Sequence, residues 1–308
     1  MTLLMGCDFT SSPTQKKPIV LALGALQHGR VQLSKLERLT SLTAFESWLN
    51  QNDDWLGVFD LPFGLPRELV ETLGWPTNWE ACIRHFSNLS RPEIRDTFAG
   101  FCDARPVGGK FAHRATDFPA GSSPSMKWVN PPVAYMLHAG VPLLLKSGAH
   151  LPGLHMGDLR RVALEGYPGL LAREVLGNRS YKSDDRLKQT PERLIARKDL
   201  IGALENGQTR LGLRLKLTHA QHDGLVDDAS GDSLDAVLCL EQAACCSGGC
   251  MGATRRQSPT AGAAADYCSV PLSASGSGSG STPMPSSTSA CVSCAEAWPR
   301  MPRSSTSP

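Results

Sequence analysis

The stretch Trp55-Leu-Gly-Val-Phe-Asp60-Leu-Pro-Phe-Gly-Leu-Pro66 places one carboxylate directly after a short apolar run. Short apolar runs that are bounded by turn residues are typical of buried strands. Pro62 lacks a backbone N–H and restricts the backbone of Leu61, so the strand must end near Asp60. A charged side chain at the carboxyl end of a buried strand lies where open α/β sheets bind their ligands.

Three further carboxylates stand at comparable places along the chain. Residues 3–7 lead as an apolar run into Asp8, and residues 162–164 lead into Glu165. Asp235 lies near the start of the last apolar helix, on the stripe of that helix that should face inward. Asp8, Asp60, Glu165 and Asp235 are therefore candidates for one shared catalytic site.

The order of the predicted elements indicates an α/β protein. Four apolar strands are predicted, with one helix before the fourth, at residues 3–8, 18–24, 30–39 and 55–60. Short links between the first three strands predict an antiparallel meander, and the later strands are expected to run parallel. The predicted domain spans residues 1–244, with a helical and loop insertion at about residues 67–160.

Local signals predict where individual helices begin. Three capping boxes are expected, at Thr43–Glu46, Thr77–Glu80 and Ser90–Glu93. The segment from Asp223 to Asp232 is acidic and is expected to be flexible.

A long loop from Arg105 to Pro132 interrupts the helical region. It contains Lys110, His113 and Arg114, which are candidates for binding an anionic substrate, since arginine can hold a phosphate through two hydrogen bonds. The alternative is internal pairing of Arg114 with the nearby Asp117. His113 could act as a general acid or base, or could simply be solvated. Lys182, directly after Tyr181, is a further candidate for contacting phosphate.

Composition narrows the possible classes of protein. The 308 residues carry a net charge of +2, so no whole-molecule field indicates nucleic acid or a membrane. No run of 18 apolar residues and no signal peptide is found, so we expect a cytoplasmic protein with no membrane partner. Neither a phosphate-binding Gly-Lys-Ser/Thr loop nor a Gly-x-Ser-x-Gly nucleophile elbow occurs. Cys7, Cys82, Cys102 and Cys239 are expected to be free buried thiols.

The composition changes abruptly at residue 245. Residues 245–308 are dominated by Ser, Gly, Ala, Pro and Cys, and we expect them to be disordered. The same composition is typical of a GC-rich gene read in the wrong frame. A frameshift between Glu241 and Cys245 is therefore one hypothesis for the origin of this tail.

A cluster of carboxylates is suited to a hard divalent ion such as Mg²⁺ or Mn²⁺, which prefers oxygen ligands. Two such ions can activate water and stabilise the leaving oxygen of a phosphodiester. For each acid the alternative is a local role as a turn acceptor or helix cap.

The strand-strand-strand-helix-strand opening, with aspartates on the first and fourth strands and an acidic last helix, resembles the ribonuclease H-like fold. More narrowly, the chain resembles an uncharacterised bacterial family of predicted ribonuclease H-like nucleases over residues 3–244. The motifs that carry this resemblance are Gly6-Cys7-Asp8-Phe9, Asp60 to Pro66, His113-Arg114-x-x-Asp117, Glu165-Gly-Tyr-Pro168, Tyr181-Lys182 and Asp232-Ser-Leu-Asp235-Ala.

The resemblance implies a Mg²⁺- or Mn²⁺-dependent phosphodiesterase that acts on RNA or DNA. It implies Asp8, Asp60 and Asp235 as metal ligands, and Glu165 as a further member of the catalytic set. One departure is that ribonucleases H carry a glutamate on the first helix. Glu46 is the nearest candidate in this chain, and it fits better as a capping residue.

Two other functions remain open from the sequence. One is a catalytically silent ribonuclease H-like module that binds nucleic acid or a protein partner. The other is an actin-like ATPase, which needs glycine-rich phosphate hairpins after the first strand, whereas residues 9–18 contain no glycine. The choice between RNA and DNA, the mode of cleavage and the oligomeric state also remain open.

Overall fold

The computed structural model describes residues 2–250, within which strands and helices alternate along the chain. The strands are β1 (Leu3–Asp8), β2 (Ile19–Gln27), β3 (Arg30–Leu39), β4 (Trp55–Asp60), β5 (Ala149–His150), β6 (Asp158–Glu165) and β7 (Arg214–Lys216). The α-helices are α1 (Leu42–Gln51), α2 (Arg67–Thr72), α3 (Trp79–Ser87), α4 (Arg91–Asp103), α5 (Asp117–Ala120), α6 (Val133–Lys146), α7 (Pro168–Leu176), α8 (Pro191–Glu205), α9 (His219–Asp227) and α10 (Asp232–Cys245). A 3₁₀ turn, Arg186–Lys188, and a π-helical turn, Cys246–Cys250, complete the described chain.

All seven strands form one mixed sheet in the order β5-β6-β4-β1-β2-β3-β7. Strand β2 is antiparallel to β1 and β3, which confirms the predicted three-stranded meander. The neighbours β1, β4, β6 and β5 run parallel to one another, and β7 runs parallel to β3. The predicted α/β class, a mixed sheet flanked by helices, is therefore confirmed.

The two faces of the sheet bury separate cores. Helices α1–α4 and α6 cover one face, together with inward residues such as Met5 and Phe59. Helices α7–α10 cover the other face, together with Leu4 and Val58. Because strand side chains alternate between faces, each strand contributes every second residue to each core. Asp8 and Asp60 follow this alternation onto the face of α10.

Gly6 allows α10 to pack directly against β1. A Cβ at this position would overlap the carbonyl oxygen of Ala236 and the backbone nitrogen of Leu240. The backbone of the helix therefore lies against the strand at the one residue without a side chain. This close approach brings the first turn of α10 to the carboxyl end of β1.

We expect Gly6→Ala to lower the free energy of unfolding by about 1–3 kcal/mol, because α10 must move away from β1 to admit the methyl group. Gly202→Ala in α8 is the matched control, since a Cβ there meets open space. That control should raise stability by about 0.5–1 kcal/mol through helix propensity. Urea unfolding of both variants tests the prediction, and equal stabilisation by the two substitutions would contradict it.

Some local predictions are confirmed and others are wrong. The Ser90–Glu93 capping box is present, but α1 and α3 are capped by Ser41 and Asn78, not by the predicted threonines. Ser41 lies two positions before Thr43, and Asn78 lies one position after Thr77; each accepts a backbone hydrogen bond from the residue three positions on. The four scattered cysteines are free and buried, as predicted.

The segment predicted to be flexible begins inside a helix. Helix α9 is capped at Thr218 by a capping box with Gln221, and it buries Leu225 and Val226. Burial of these two apolar side chains stabilises the helix, although the segment is acidic. The predicted tail after residue 244 lies mostly outside the described residues, although α10 itself runs to Cys245. No helix in residues 2–250 combines the length and apolarity needed to cross a bilayer.

Candidate metal centre

Three of the four candidate carboxylates meet at one edge of the sheet. Oxygen atoms of Asp8, Asp60 and Asp235 all lie within 4.8 Å of one another. Asp8 and Asp60 are the last residues of β1 and β4, and Asp235 lies in the first turn of α10. The arrangement brings together acids that are up to 227 positions apart in the sequence (235 − 8).

Strand register explains why the two strand-end aspartates are neighbours. Strands β1 and β4 are parallel, and Asp8 is paired directly with Asp60. Their side chains lie on the face of the sheet that α10 covers. Because the N-terminus of a helix carries partial positive charge, the first turn of α10 is a favourable place for Asp235.

Burial raises the pKa of all three acids, and repulsion from neighbouring carboxylates adds to this effect. Burial, followed by repulsion from Asp235, raises the pKa of Asp60 to about 7. Burial, followed by repulsion from Asp235, Asp232 and Asp60, raises the pKa of Asp8 well above its usual range. Burial also raises the pKa of Asp235, although Lys182 and Tyr181 oppose this effect. A cation bound at this cluster would therefore stabilise the ionised form of the acids.

In the structure a lysine supplies part of this positive charge. The Lys182 ammonium and the Tyr181 hydroxyl donate hydrogen bonds to separate oxygens of Asp235. Burial alone would lower the pKa of Lys182, but the fields of Asp235 and Asp8 raise it above its usual range. Gly231, with a φ of +78°, leaves room for this side chain, since a Cβ there would meet the Lys182 side chain at 2.6 Å.

A second lysine supports the beginning of α10. Lys17 Nζ lies 2.7 Å from Asp232 and 2.8 Å from Asp184. Although burial opposes it, hydrogen bonds to Asp184 and Asp232 raise the pKa of Lys17 to about 12. Nothing local in the sequence shows that Lys17 and Tyr181 approach the last helix, so the sequence does not predict their contacts with Asp232 and Asp235.

Glu165 ends a strand in the same way but lies outside the group of three. Its register partner on β4 is Phe59, one residue short of Asp60. Because side chains alternate, this single position sends Glu165 toward the opposite face of the sheet. There it accepts a hydrogen bond from the backbone N–H of Phe63 at 2.9 Å and pairs with Arg114.

Arg114 is buried and is held by two acids. Its guanidinium donates to Asp117 at 2.9 and 3.0 Å and lies 2.7 Å from Glu165. Its side chain is 6% exposed, and that of Asp117 is fully buried. Arg114 thus forms the internal pair that the sequence left open as the alternative to phosphate binding. Through its contacts with Asp117 and Glu165, Arg114 connects the long loop to the carboxyl end of β6.

Arg114→Leu should lower the free energy of unfolding by about 3–5 kcal/mol, because it leaves two acids buried without their cation. Arg84→Leu is the matched control, since Arg84 pairs with Glu80 on the surface and its side chain is 75% exposed. That change should cost less than about 1 kcal/mol. Thermal and urea unfolding measure both effects, and an equally small loss in the two variants would show that the buried pair is unimportant.

The other predicted anion-binding residues are placed away from the three aspartates. The ring of His113 stacks on Phe118, with centroids 4.4 Å apart and an interplanar angle of 24°. Its Nδ1 atom has no hydrogen-bond partner within residues 2–250. Lys110 is exposed. Of the four predicted substrate-binding residues, Lys182 alone contacts the cluster directly.

A cavity of about 270 Å³ adjoins the cluster. Asp60, Glu165 and Lys182 contribute to its wall at the edge of the sheet. Its other walls come from the long loop and from the starts of α6 and α7. The lining residues include Thr116, Ala120, Ser122, Pro131, Val133, Met136, Tyr167, Leu170 and Gln242. The cavity therefore places a small, partly apolar compartment beside the acids.

No protein-family model, curated protein or solved structure matches this chain.

Proposed function

We propose that this protein is a metal-dependent nuclease with a ribonuclease H-like fold, which hydrolyses phosphodiester bonds of nucleic acid. The fold assignment is supported by the antiparallel meander β1–β3, followed by β4 and β6 added in parallel on the other side of β1. The observation that carries the function is the convergence of Asp8, Asp60 and Asp235 within 4.8 Å. We propose Mg²⁺ or Mn²⁺ as the cofactor.

The donor set fits such an ion. All three side chains offer hard oxygen ligands, which Mg²⁺ and Mn²⁺ prefer over nitrogen or sulfur. Burial and repulsion from neighbouring carboxylates raise their pKa values, and a bound divalent cation would offset both effects. The ammonium group of Lys182 on Asp235 shows that this place accepts positive charge.

Each residue then has a role that follows from its contacts. Asp8, Asp60 and Asp235 would hold the ion or ions, and Tyr181 orients Asp235 through its hydroxyl. A bound divalent ion supplies an activated water and neutralises charge on the phosphodiester. Lys182, whose side chain is 42% exposed, can contact a phosphate oxygen once the charge of Asp235 is neutralised. Glu165 and Arg114 form the adjoining wall of the cavity.

A cleavage assay tests the proposal. The purified full chain is incubated with labelled single-stranded RNA, single-stranded DNA, both duplexes and the RNA–DNA hybrid, in Mg²⁺, in Mn²⁺ and in EDTA. We expect cleavage of at least one substrate in Mg²⁺ or Mn²⁺ and none in EDTA. Intact substrates under every condition would overturn the proposal.

Binding of a divalent ion should tighten as the pH rises through about 7, because Asp60 must lose its proton before it can coordinate a cation. Burial and repulsion from Asp235 raise the pKa of Asp60 to about 7 in the metal-free fold. Below that pH the Mn²⁺ affinity should rise by at least about tenfold per pH unit, because Asp8, whose pKa is also raised, must lose its proton as well. Calorimetric titration between about pH 5.5 and about pH 8.5 measures this, and a flat profile would contradict it.

The same shift predicts how the stability of the metal-free protein depends on pH. A carboxyl whose pKa is raised by folding stabilises the fold while it is protonated. That contribution is lost as the pH rises from the unfolded value of 3.8 through about 7. Added Mn²⁺ should restore stability on the alkaline side, since it binds only the folded arrangement of acids.

One observation favours a second candidate, a catalytically silent module that binds nucleic acid or a protein partner. Lys182 and Tyr181 already occupy both oxygens of Asp235, so the cluster could be a permanent polar network. The two functions differ in one property of the site. In the nuclease Lys182 would release Asp235 when a divalent ion is bound, whereas in the silent module Lys182 would stay paired with Asp235.

A further inference from the structure

We propose that the nucleic acid bound at this site is single-stranded, with one nucleotide entering the cavity beside Asp60 and a neighbouring base stacking on Phe118. This inference rests on the proposed function and specifies its substrate class.

The cavity admits a small unit of nucleic acid. Its volume of about 270 Å³ lies near the lower end of the range for small-molecule sites, about 300–1,000 Å³. A paired and stacked base inside a duplex cannot enter such a space without leaving the helix. An unpaired nucleotide meets no such barrier.

The lining of the cavity suits a nucleotide whose phosphate lies at the metal centre. Asp60 and Lys182 are at the end that adjoins the cluster, where a phosphate would lie. Apolar groups of Val133, Met136 and Leu170 also line the cavity and offer a surface for a flat base. The lining thus combines charged and polar groups with apolar surface, and a nucleotide uses both.

Phe118 forms an exposed aromatic surface two residues from the cavity wall. This residue is 73% exposed, whereas phenylalanine is usually buried because burial of its ring stabilises the fold. It lies in the short helix α5, whose last residue, Ala120, lines the cavity. The ring is held flat against His113, with centroids 4.4 Å apart. Stacking on exposed aromatic rings is the usual way in which proteins hold unpaired bases.

Basic side chains of the long loop and of α7 provide positive charge for a polyanion. Lys110 and Lys127 belong to the same loop as Phe118, and no salt bridge to either lysine is found in the described part of the chain. Arg173 lies over the ring of Tyr167 at 5.1 Å, and it donates to the carbonyl oxygen of Ala120. Basic groups interleaved with aromatic rings are characteristic of surfaces that bind single strands.

Binding can be measured apart from cleavage by using the full-length Asp60→Asn protein in Mg²⁺. Fluorescence anisotropy is recorded with fluorescein-labelled oligothymidylate, oligouridylate and a DNA duplex of the same length. We expect tighter binding of a single strand than of the duplex, with the stronger of the two single strands identifying the sugar. Phe118→Ala in this background should weaken single-strand binding by about 5- to 150-fold, and Phe118→Trp should retain it.

Val107→Ala is the matched control, because Val107 is an apolar residue of the same loop, is 96% exposed and does not line the cavity. It should leave the affinity unchanged. Equal binding of duplex and single strand, or unchanged affinity in Phe118→Ala, would overturn the inference.

The two proposals fail in different ways. If the wild-type protein cleaves only duplexes, the nuclease stands and the single-strand inference is wrong. If Phe118 controls single-strand binding but no metal-dependent cleavage occurs, the protein is a single-strand binder and the nuclease proposal is wrong.

Discussion

Asp60→Asn should abolish metal-dependent cleavage while leaving the fold intact. The amide keeps the shape of the side chain but removes the negative charge at the centre of the three acids. We expect cleavage to fall by at least about 10²- to 10³-fold, the scale on which loss of one charge-stabilising group acts. The metal-free protein should become more stable above pH 7, because Asp60 otherwise ionises there beside Asp235, and its pKa is about 7.

Asp54→Asn is the matched control for this substitution. Asp54 directly precedes the other end of β4 and its side chain is exposed, so the change removes the same charge far from the cluster. Cleavage rates and melting temperatures of the two variants are compared with those of the wild type. Full activity of Asp60→Asn would remove the nuclease proposal, whereas loss of activity in both variants would show a non-specific effect.

Glu241→Leu should stabilise the protein by about 3 kcal/mol at pH 7. Glu241 lies on α10 with no exposed surface, and neither carboxyl oxygen has a hydrogen-bond partner within residues 2–250. Burial raises the pKa of this carboxyl from 4.5 to about 8. The folded protein therefore keeps a proton that the unfolded chain releases, and stability falls as the pH rises from 4.5 through 8. The expected cost is about 3 kcal/mol at pH 7 and about 5 kcal/mol well above pH 8.

The pH dependence separates this effect from ordinary packing. The advantage of Glu241→Leu should shrink toward pH 4.5, where the carboxyl is protonated in both states. Glu241→Gln should lose the pH dependence while keeping a buried polar group. Glu71→Leu, on the exposed side of α2, should change stability by less than about 0.5 kcal/mol at every pH. Urea unfolding at several pH values tests this, and a constant difference between Glu241→Leu and the wild type would contradict it.

The parts of the site that the sequence predicts are those that depend on local pattern. Asp8 and Asp60 each follow an apolar run that turn residues close, and parallel strands bring such ends to one edge. Asp235 follows from the apolar stripe of the last helix. The antiparallel meander follows from the short links between the first three strands.

The remaining features depend on register and on contacts between distant segments. Glu165 also ends an apolar strand, yet its pairing with Phe59 instead of Asp60 sends it to the other face. A shift of one residue is invisible in the apolar pattern of β6. The three-residue strand β7 is likewise too short to leave a periodic signal.

Burial decides the role of the loop residues, and sequence alone does not reveal it. Arg114 has the chemistry of a phosphate ligand, but it is buried between Asp117 and Glu165. Phe118 has the chemistry of a core residue, but it is exposed beside the cavity. The roles of these two residues therefore become clear only from the structure, because the burial of each side chain is the opposite of what its residue type predicts.

Crystals of the full chain soaked in Mn²⁺ provide the most direct test of the central claim, that three distant aspartates form one divalent-metal site. The measurement is an anomalous difference map collected near the manganese absorption edge. The account predicts a peak coordinated by oxygens of Asp8, Asp60 and Asp235, with the Lys182 ammonium no longer bound to Asp235. A map without that peak, in which Lys182 still holds Asp235, would contradict it.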